Sequence, residues 1–173
     1  MNNHILAKDI MNTKPITLNA ETAVTKAIDQ LLANKQSSAA VIDISGRLVG
    51  FFSAHDVMVE LWCQDYIPAQ KQKVVDLMSL DVVSIEANDK LVDVAEFMCI
   101  DKEKLFPTTN INCATNVTSL SLEERAKSIK INKPQALPVL DNGKFVGMVT
   151  RLEMLKAMRD IYGKPADASQ EKA

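Results

Sequence analysis

Residues 46–56 read GRLVGFFSAHD and residues 143–153 read GKFVGMVTRLE, so one pattern of glycines, apolar residues, a hydroxyl and a carboxylate occurs twice. Upstream of each stretch lies a second shared motif, KDIM at residues 8–11 and VDLM at residues 75–78. The short motif recurs after 67 positions and the longer stretch after 97, so the second copy carries about thirty additional residues. The chain is therefore a tandem repeat, which limits both the fold and the place of any binding site.

Hydrophobic periodicity predicts the order strand, helix, strand, strand, helix in each copy. A short strand is predicted at residues 16–18, and an amphipathic helix capped by Thr22 follows it, with Asp89 as the matching cap in the second copy. Turn sequences then join two apolar runs of strand length into a hairpin. A further helix is predicted after each hairpin, at about residues 54–66 and 152–162.

The composition disfavours several classes of protein. The net charge is −2 with acids and bases interspersed, so the chain lacks the basic stripe that nucleic-acid binding requires. Its apolar stretches are strand-sized, shorter than the roughly 20 residues of a membrane span, and its first residues carry no apolar leader. Three widely spaced cysteines fit a reducing compartment. A soluble cytoplasmic protein without nucleic-acid or membrane partners is therefore expected.

The sulfur-containing residues of the predicted helices and strands are interpreted as core residues. Cys63 and Cys99 fall on helices and are expected to be buried, whereas Cys113 lies in the additional segment. The same core position is expected for the methionines on apolar faces, which are Met58, Met78, Met98, Met148, Met154 and Met158.

Each hairpin ends in a hydroxyl and a carboxylate at the point where a helix begins. The pairs are Ser53-x-x-Asp56 and Thr150-x-x-Glu153. A carboxylate can accept both hydroxyls of a ribose, while a hydroxyl and the unpaired N–H groups of a helix N-terminus can donate to a phosphate. The same spacing is that of a capping box, and spacing alone favours the cap. Both interpretations remain open on these residues.

The ordered series Asp-x-Met, strand, amphipathic helix, short strand and Gly-hydrophobic-hydrophobic-Ser/Thr-x-x-Asp resembles the cystathionine β-synthase domain, or CBS domain. The resemblance covers roughly residues 5–162, apart from the additional segment. It implies an α+β fold of two β-α-β-β-α repeats packed through their sheets around a pseudo-twofold axis. In that family two clefts between the repeats often bind adenosine compounds, and the usual consequence is regulation of another protein.

On this resemblance, residues 1–68 form the first repeat and residues 69–162 the second, which contains an insertion at about residues 103–133. Residues 163–173 are expected to be a disordered tail. Within the insertion, the capping-box sequence at residues 121–124 predicts a short helix. The insertion is interpreted either as a surface decoration or as a cap over the second cleft or a partner surface.

The resemblance also assigns nucleotide-binding positions. Asp56, and with one more methylene Glu153, correspond to the carboxylate that binds ribose, and Ser53 and Thr150 correspond to the hydroxyl beside it. The positions that frame the adenine are Ile16, Thr17, Val83 and Ser84. Those at the start of the second strand are Ser38, Ala39, Gln135 and Ala136. The cationic candidates near the helices are His55, Arg151 and Lys133. The start of the second strand is often basic in nucleotide-binding members and is neutral here, which weakens the case for a triphosphate. The site with Asp56 is expected to be the better one.

No catalytic residue, metal ligand or required cofactor is predicted. Ser53, His55 and Asp56 follow one another within one helical turn, and their side chains diverge too far to align a nucleophile, a base and an orienting carboxylate. The chain contains only two histidines and no carboxylate motif at metal spacing, which disfavours a transition-metal site.

The expected function is therefore that of a stand-alone regulatory CBS pair that is not an enzyme. It would bind an adenine nucleotide or adenosyl ligand, namely AMP, ADP or ATP, or S-adenosylmethionine, and signal to an unidentified partner protein. A homodimer through Met58, Leu61 and Trp62 on one helix and Leu155 and Met158 on another is expected as well. The alternative is a protein-interaction scaffold whose cleft is empty or capped by the insertion.

Overall fold

The computed structural model describes residues 5–67, 71–105, 121, 123–124 and 133–163. Its elements confirm the α+β class and the two β-α-β-β-α repeats, and a short helix that was not predicted precedes the first strand of each repeat. In chain order the elements are α1 (Ala7–Ile10), β1 (Thr17–Leu18), α2 (Val24–Ala33), β2 (Ser38–Ile42), β3 (Leu48–Ser53), α3 (Ala54–Cys63), α4 (Val74–Leu77), β4 (Ile85–Glu86), α5 (Leu91–Cys99), α6 (Lys102–Leu105), β5 (Ala136–Asp141), β6 (Lys144–Thr150) and α7 (Arg151–Gly163).

Each repeat forms one three-stranded sheet, with the orders β1-β2-β3 and β4-β5-β6. The first strand of each sheet runs parallel to the second, so a crossover helix must join them, and the second and third strands form an antiparallel hairpin. The crossover helix α2 buries Ala27 and Leu31 against this sheet, together with Val41 and Phe52. The second sheet and α5 form an equivalent core around Leu137 and Val149.

The two short helices are exchanged between the repeats. Helix α1 precedes the first repeat in sequence but packs in the core of the second, where Ala7 is fully buried. Helix α4 does the reverse, since Val74 is fully buried in the core of the first repeat. Backbone hydrogen bonds hold both segments, for example from the Ala7 N–H to the Asp89 carbonyl at 2.8 Å and from the Val74 N–H to the Thr22 carbonyl at 2.8 Å. The Asp-x-Met motif of each copy therefore fastens one repeat to the other.

Two glycines of the hairpins lie where these exchanged segments cross the sheets. The methionine after α4, Met78, lies over Gly50 so closely that a Cβ there would be 2.5 Å from the methionine sulfur. At Gly147 a Cβ would be 2.7 Å from the Asn12 carbonyl oxygen and 2.7 Å from the Met11 sulfur. The Asp-x-Met motif of each copy thus contacts the Gly-x-x-x-Gly motif of the other copy.

Both predicted helix caps are wrong by one residue. Helix α2 has Ala23 at its N-cap and α5 has Lys90, with no side-chain cap in either case. The Asp89 carboxylate instead accepts from the Glu86 N–H at 2.8 Å, so it closes the turn after β4. The Thr22 carbonyl takes the hydrogen bond from α4, which no local sequence signal could indicate.

The first strands are shorter than predicted. Ile16 lies just before β1, and Val83 and Ser84 lie just before β4, outside the hydrogen-bonded ladder. Only two residues of each first strand pair with the neighbouring strand. They are Thr17 and Leu18 in the first sheet, and Ile85 and Glu86 in the second.

The expected burial of several sulfur-containing residues is wrong. Cys63 and Cys99 are both exposed, and Met58 is 61% exposed. Cys63 and Met58 lie on α3, which buries none of its ten residues completely. Met98, Met148 and Met154 are core residues as expected, while Met78 and Met158 are partly buried.

Only part of the insertion is described. It begins with the unpredicted helix α6, whose Leu105 is buried. The capping-box hydrogen bonds are present, with the Ser121 N–H donating to Glu124 Oε2 at 2.8 Å and the Glu124 N–H to Ser121 Oγ at 3.2 Å. The remainder of the predicted helix, Cys113 and the tail from residue 164 lie outside the described residues. No helix in the described part of the chain is long and apolar enough to span a membrane.

Candidate functional site

The first candidate site lies where β3 ends and α3 begins. Ser53 is the N-cap of α3, and its backbone N–H and its hydroxyl both donate to Asp56 Oδ2, at 2.8 and 2.6 Å. The Asp56 N–H points back to Ser53 Oγ at 3.4 Å, which completes a capping box. The other carboxylate oxygen, Oδ1, accepts no hydrogen bond from a described residue. The carboxylate is therefore held rigidly by one oxygen and offers the other.

The sheet brings two of the other predicted residues of the first repeat, Thr17 and Ser38, close to Ser53, whereas Ala39 is fully buried in the core of that repeat. Ser38 at the start of β2 pairs directly with Ser53 at the end of β3. On the far side of β2, Thr17 pairs with Ala40, two residues along from Ser38. The hydroxyls of Thr17, Ser38 and Ser53 thus belong to three adjacent strands next to the N-terminus of α3, where the helix dipole favours negative charge.

The second candidate site has the same plan with a longer carboxylate. The Thr150 N–H donates to Glu153 Oε2 at 3.1 Å, and the Thr150 hydroxyl makes a short hydrogen bond to the same oxygen. Glu153 Oε1 also has a partner, because Lys156 Nζ lies 3.4 Å away. Both oxygens of this carboxylate are therefore engaged, in contrast to Asp56.

The ionisation of Glu153 follows from these contacts. Partial burial would raise the pKa of Glu153, but the hydrogen bonds from the Thr150 side chain and backbone, with help from Lys156, outweigh it and lower the pKa from its usual value. Glu153 is thus a stable anion at neutral pH, neutralised locally by Lys156.

The structure corrects the correspondence at the start of the second strand. The Ala54 N–H donates to the Ser37 carbonyl at 2.8 Å, and the equivalent Arg151 N–H donates to the Gln135 carbonyl at 3.2 Å. Gln135 therefore corresponds to Ser37 and not to Ser38, and Ala136, which pairs with Thr150, corresponds to Ser38.

Ser37 is thus a site candidate that the sequence comparison missed. The reason is that the turn of the first hairpin is one residue longer than that of the second, so the repeat offset changes from 98 in the second strand to 97 in the third. The additional residue in the first hairpin turn is visible in the sequence and could have revealed this shift.

The predicted cations do not form one cluster. His55 and Arg151 lie at the surface at the starts of α3 and α7, each in a different repeat. Lys133 is half-buried, and its ammonium lies 5.2 Å from the centroid of the Phe97 ring, where it makes a cation–π contact. The described residues thus place no predicted cation in contact with Asp56 or Ser53.

Neither site has the geometry of a Ser-His-Asp triad, since the Ser53 hydroxyl donates directly to Asp56. Among the residues that the structure describes, no three histidine, cysteine or acidic side chains are grouped so as to hold a metal ion. What the arrangement offers chemically is an anchored carboxylate, adjacent hydroxyls and a helix N-terminus, which suit a sugar hydroxyl and an anion.

Relatives of similar length share this fold. A CBS domain-containing protein of Dictyostelium discoideum is 24% identical over 152 residues, covering 87% of this chain and 89% of that protein. The CBS-pair protein CBSX2 of Arabidopsis thaliana superposes with a TM-score of 0.65 at 23% identity, over 92% of this chain and 98% of that one.

Two of the neighbouring structures contain adenosine compounds. CBSX2 has been crystallised with AMP, and that structure has a TM-score of 0.63 at 23% identity, over 91% and 98% of the two chains. A further CBS domain pair, crystallised with 5′-methylthioadenosine and S-adenosyl-L-methionine, has a TM-score of 0.59 at 18% identity, again over 91% and 98%.

The family model of the CBS domain matches residues 7–62 and 124–160, more than half of the chain. The two matched segments contain the two hairpins and most of the helix after each, and the stretch between them, residues 63–123, includes α4, β4, α5 and α6. Sequence motifs, topology and relatives agree, and the chain belongs to the CBS domain family, with its two repeats arranged as a CBS pair.

Proposed function

We propose that this protein binds an adenine nucleotide or adenosyl ligand beside Asp56 and passes the occupancy of that site to a partner protein. The single observation that carries the proposal is the state of the Asp56 carboxylate. Ser53 fixes Oδ2 with two hydrogen bonds, while Oδ1 accepts none from the described residues. A carboxylate prepared in this way can accept the hydroxyls of a ribose without reorganising.

The surrounding residues take the roles that their positions allow. Ile16 and Thr17 would contact the base, and Ser38 and the newly identified Ser37 would face the sugar or phosphate. Ala39 would make no side-chain contact, because it is fully buried in the core of the first repeat. The N–H groups at the start of α3 would bind the phosphate, with His55 beside them. Since these groups carry little positive charge, a monophosphate or an adenosyl ligand is expected to bind better than ATP. CBSX2 crystallised with AMP supports this ligand class.

The second site would use the equivalent groups and bind more weakly. Its candidate residues are Val83, Ser84, Gln135, Ala136, Thr150, Arg151 and Glu153. Both carboxylate oxygens of Glu153 are already engaged, which is the physical reason to expect weaker binding there. The role requires no catalytic step and no cofactor.

A homodimer is part of the proposal. Helices α3 and α7 occupy equivalent positions in the two repeats and both expose large apolar side chains, including Met58 at 61%, Trp62 at 68% and Leu155 at 65%. Leu61 and Met158 are partly buried on the same helices. An exposed apolar helix face of this kind on each repeat suits a second copy related by a twofold axis.

The test is isothermal titration calorimetry with AMP, ADP, ATP and S-adenosylmethionine. Asp56→Asn keeps the size of the side chain and can still accept from Ser53, but it removes the charge. Hydrogen bonds to charged groups contribute about 1.5–3 kcal/mol, so AMP affinity should fall by roughly tenfold to a hundredfold.

The matched control is Asp9→Asn, because Asp9 is the third residue of its helix as Asp56 is, and its exposed carboxylate accepts from the Leu6 N–H at 2.9 Å on the short helix that packs against the other repeat. It should leave AMP affinity unchanged. If protein free of co-purified nucleotide binds none of the four ligands, the nucleotide proposal is wrong and the scaffold alternative is favoured.

A further inference from the structure

One charged residue distinguishes the two carboxylates of the CBS pair. Lys156 lies one turn beyond Glu153 on α7, and its ammonium is 3.4 Å from Glu153 Oε1. The Glu153 side chain is 12% exposed and the Lys156 side chain 66% exposed, so the lysine covers Oε1 from the solvent side. Oε1 is called the outer oxygen of Glu153, and Oε2, which accepts from Thr150, the inner one; in Asp56 the outer oxygen is Oδ1 and the inner one Oδ2. In the first repeat the equivalent position on α3, at the offset of 97, is Val59.

The two oxygens of each carboxylate have different hydrogen-bond partners. In each site the inner oxygen accepts two hydrogen bonds from the N-cap residue, Ser53 or Thr150. The outer oxygen of Asp56 has no described partner, whereas the outer oxygen of Glu153 is paired with Lys156. A ribose that approaches the second site must displace the ammonium before its hydroxyls can donate to that oxygen.

We propose that Lys156 is a specificity-determining residue that occupies the outer oxygen of Glu153 and makes the second site weaker than the first for a ribose with free hydroxyls. This inference rests on the proposed function and names the residue that makes the two sites unequal. The local charges of the two sites also differ, because Asp56 has no described cation beside its carboxylate while Glu153 and Lys156 form a neutral pair.

The sharpest test moves the lysine into the first site. Val59 is 45% exposed, so Val59→Lys can place an ammonium beside Asp56 without disturbing the core. AMP affinity at the first site should fall about two- to fivefold, the range expected for a solvent-accessible ion pair. The loss should shrink when calorimetry is repeated in 1 M NaCl, where screening weakens the pair.

The matched control is Val59→Met, which adds length without charge. Both variants are compared at equal oligomeric mass, measured by light scattering, since Val59 is adjacent on α3 to Met58 of the proposed dimer surface. If Val59→Lys and Val59→Met bind AMP equally, the inference is overturned while the nucleotide proposal stands. If wild-type protein shows no Asp56-dependent binding of AMP or the other ligands, the proposed function fails and the inference fails with it.

The reciprocal variant gives a readout that needs no ligand. Lys156→Met removes the ammonium and keeps most of the side chain. The Glu153 carboxyl, followed by NMR during a pH titration, should then titrate at a higher pH than in the wild type. With AMP present, the weaker of two binding steps should tighten about two- to fivefold. An unchanged Glu153 titration would show that the lysine does not occupy the carboxylate and would overturn the inference.

Discussion

A methyl group added at Gly147 should destabilise this protein more than the same group added at Gly50. At Gly147 the new Cβ would be 2.7 Å from the Asn12 carbonyl oxygen, a backbone atom that also accepts a hydrogen bond from the Met148 N–H at 3.0 Å. At Gly50 it would be 2.5 Å from the Met78 sulfur, which is the far end of a flexible side chain. The two positions are equivalent in the repeat, so they form a matched pair.

The expected magnitudes follow from the atom that must move. Overpacking against backbone costs about 1–3 kcal/mol, and replacing glycine by alanine within a strand returns about 0.5–1 kcal/mol of backbone entropy. Gly147→Ala is therefore expected to lose about 1–2 kcal/mol. At Gly50 a strained Met78 rotamer costs about 0.5–1.5 kcal/mol, which the entropy gain largely offsets. The Gly50→Ala change should lie within about 1 kcal/mol of the wild type.

The assay is equilibrium urea unfolding at 25 °C, with the free energy of unfolding taken from the midpoint and slope for each variant. Met11→Ala in the Gly147→Ala background should restore little stability, because the Asn12 carbonyl remains in place. If Gly147→Ala is as stable as Gly50→Ala, or if Met11→Ala rescues it fully, then the exchanged segment does not cross the sheet at Gly147 as described.

Three further predictions concern the core, the acid range and the dimer. Phe52 is fully buried, so Phe52→Ala should cost about 3–5 kcal/mol in urea unfolding, whereas Phe97→Ala, at a side chain 37% exposed, should cost clearly less; equal losses would contradict the core assignment. Because the pKa of Glu153 is lowered in the folded protein, its contribution to stability is present above the unfolded pKa near 4.5 and is lost as the pH falls through the folded value. The stability difference between wild type and Glu153→Gln should therefore be larger at pH 7 than at pH 3, and a difference independent of pH would contradict this. Trp62→Glu should reduce the mass measured by light scattering from twice the chain mass of 19.1 kDa to a single chain; wild-type protein that is already monomeric at micromolar concentration would refute the proposed dimer.

The sequence predicted those features that depend on neighbouring residues. The hairpins, the helices after them and the capping boxes of Ser53 with Asp56 and of Ser121 with Glu124 were found from local spacing, because turn chemistry and capping act over a few residues. Predictions failed where a residue suited to one local role makes a different hydrogen bond in the folded chain, or where the lengths of the two repeats differ. Asp89 is a good cap residue, but its carboxylate closes the preceding turn instead. The offset of 97 gave a wrong partner for Gln135, because the first hairpin turn is one residue longer than the second and the second strands of the two repeats are therefore related by an offset of 98.

By itself the sequence determined that the chain consists of two copies of one unit, what order their strands and helices follow, and which carboxylate stands at each helix start. Those properties are encoded in periodicity, turns and caps, which act over short distances along the chain. Only the tertiary structure decided that α1 packs in the second repeat and α4 in the first, and that Met11 and Met78 lie over Gly147 and Gly50. These contacts join residues that are far apart in sequence, and each four-residue helix depends on burying its apolar side against a core formed by residues from elsewhere in the chain.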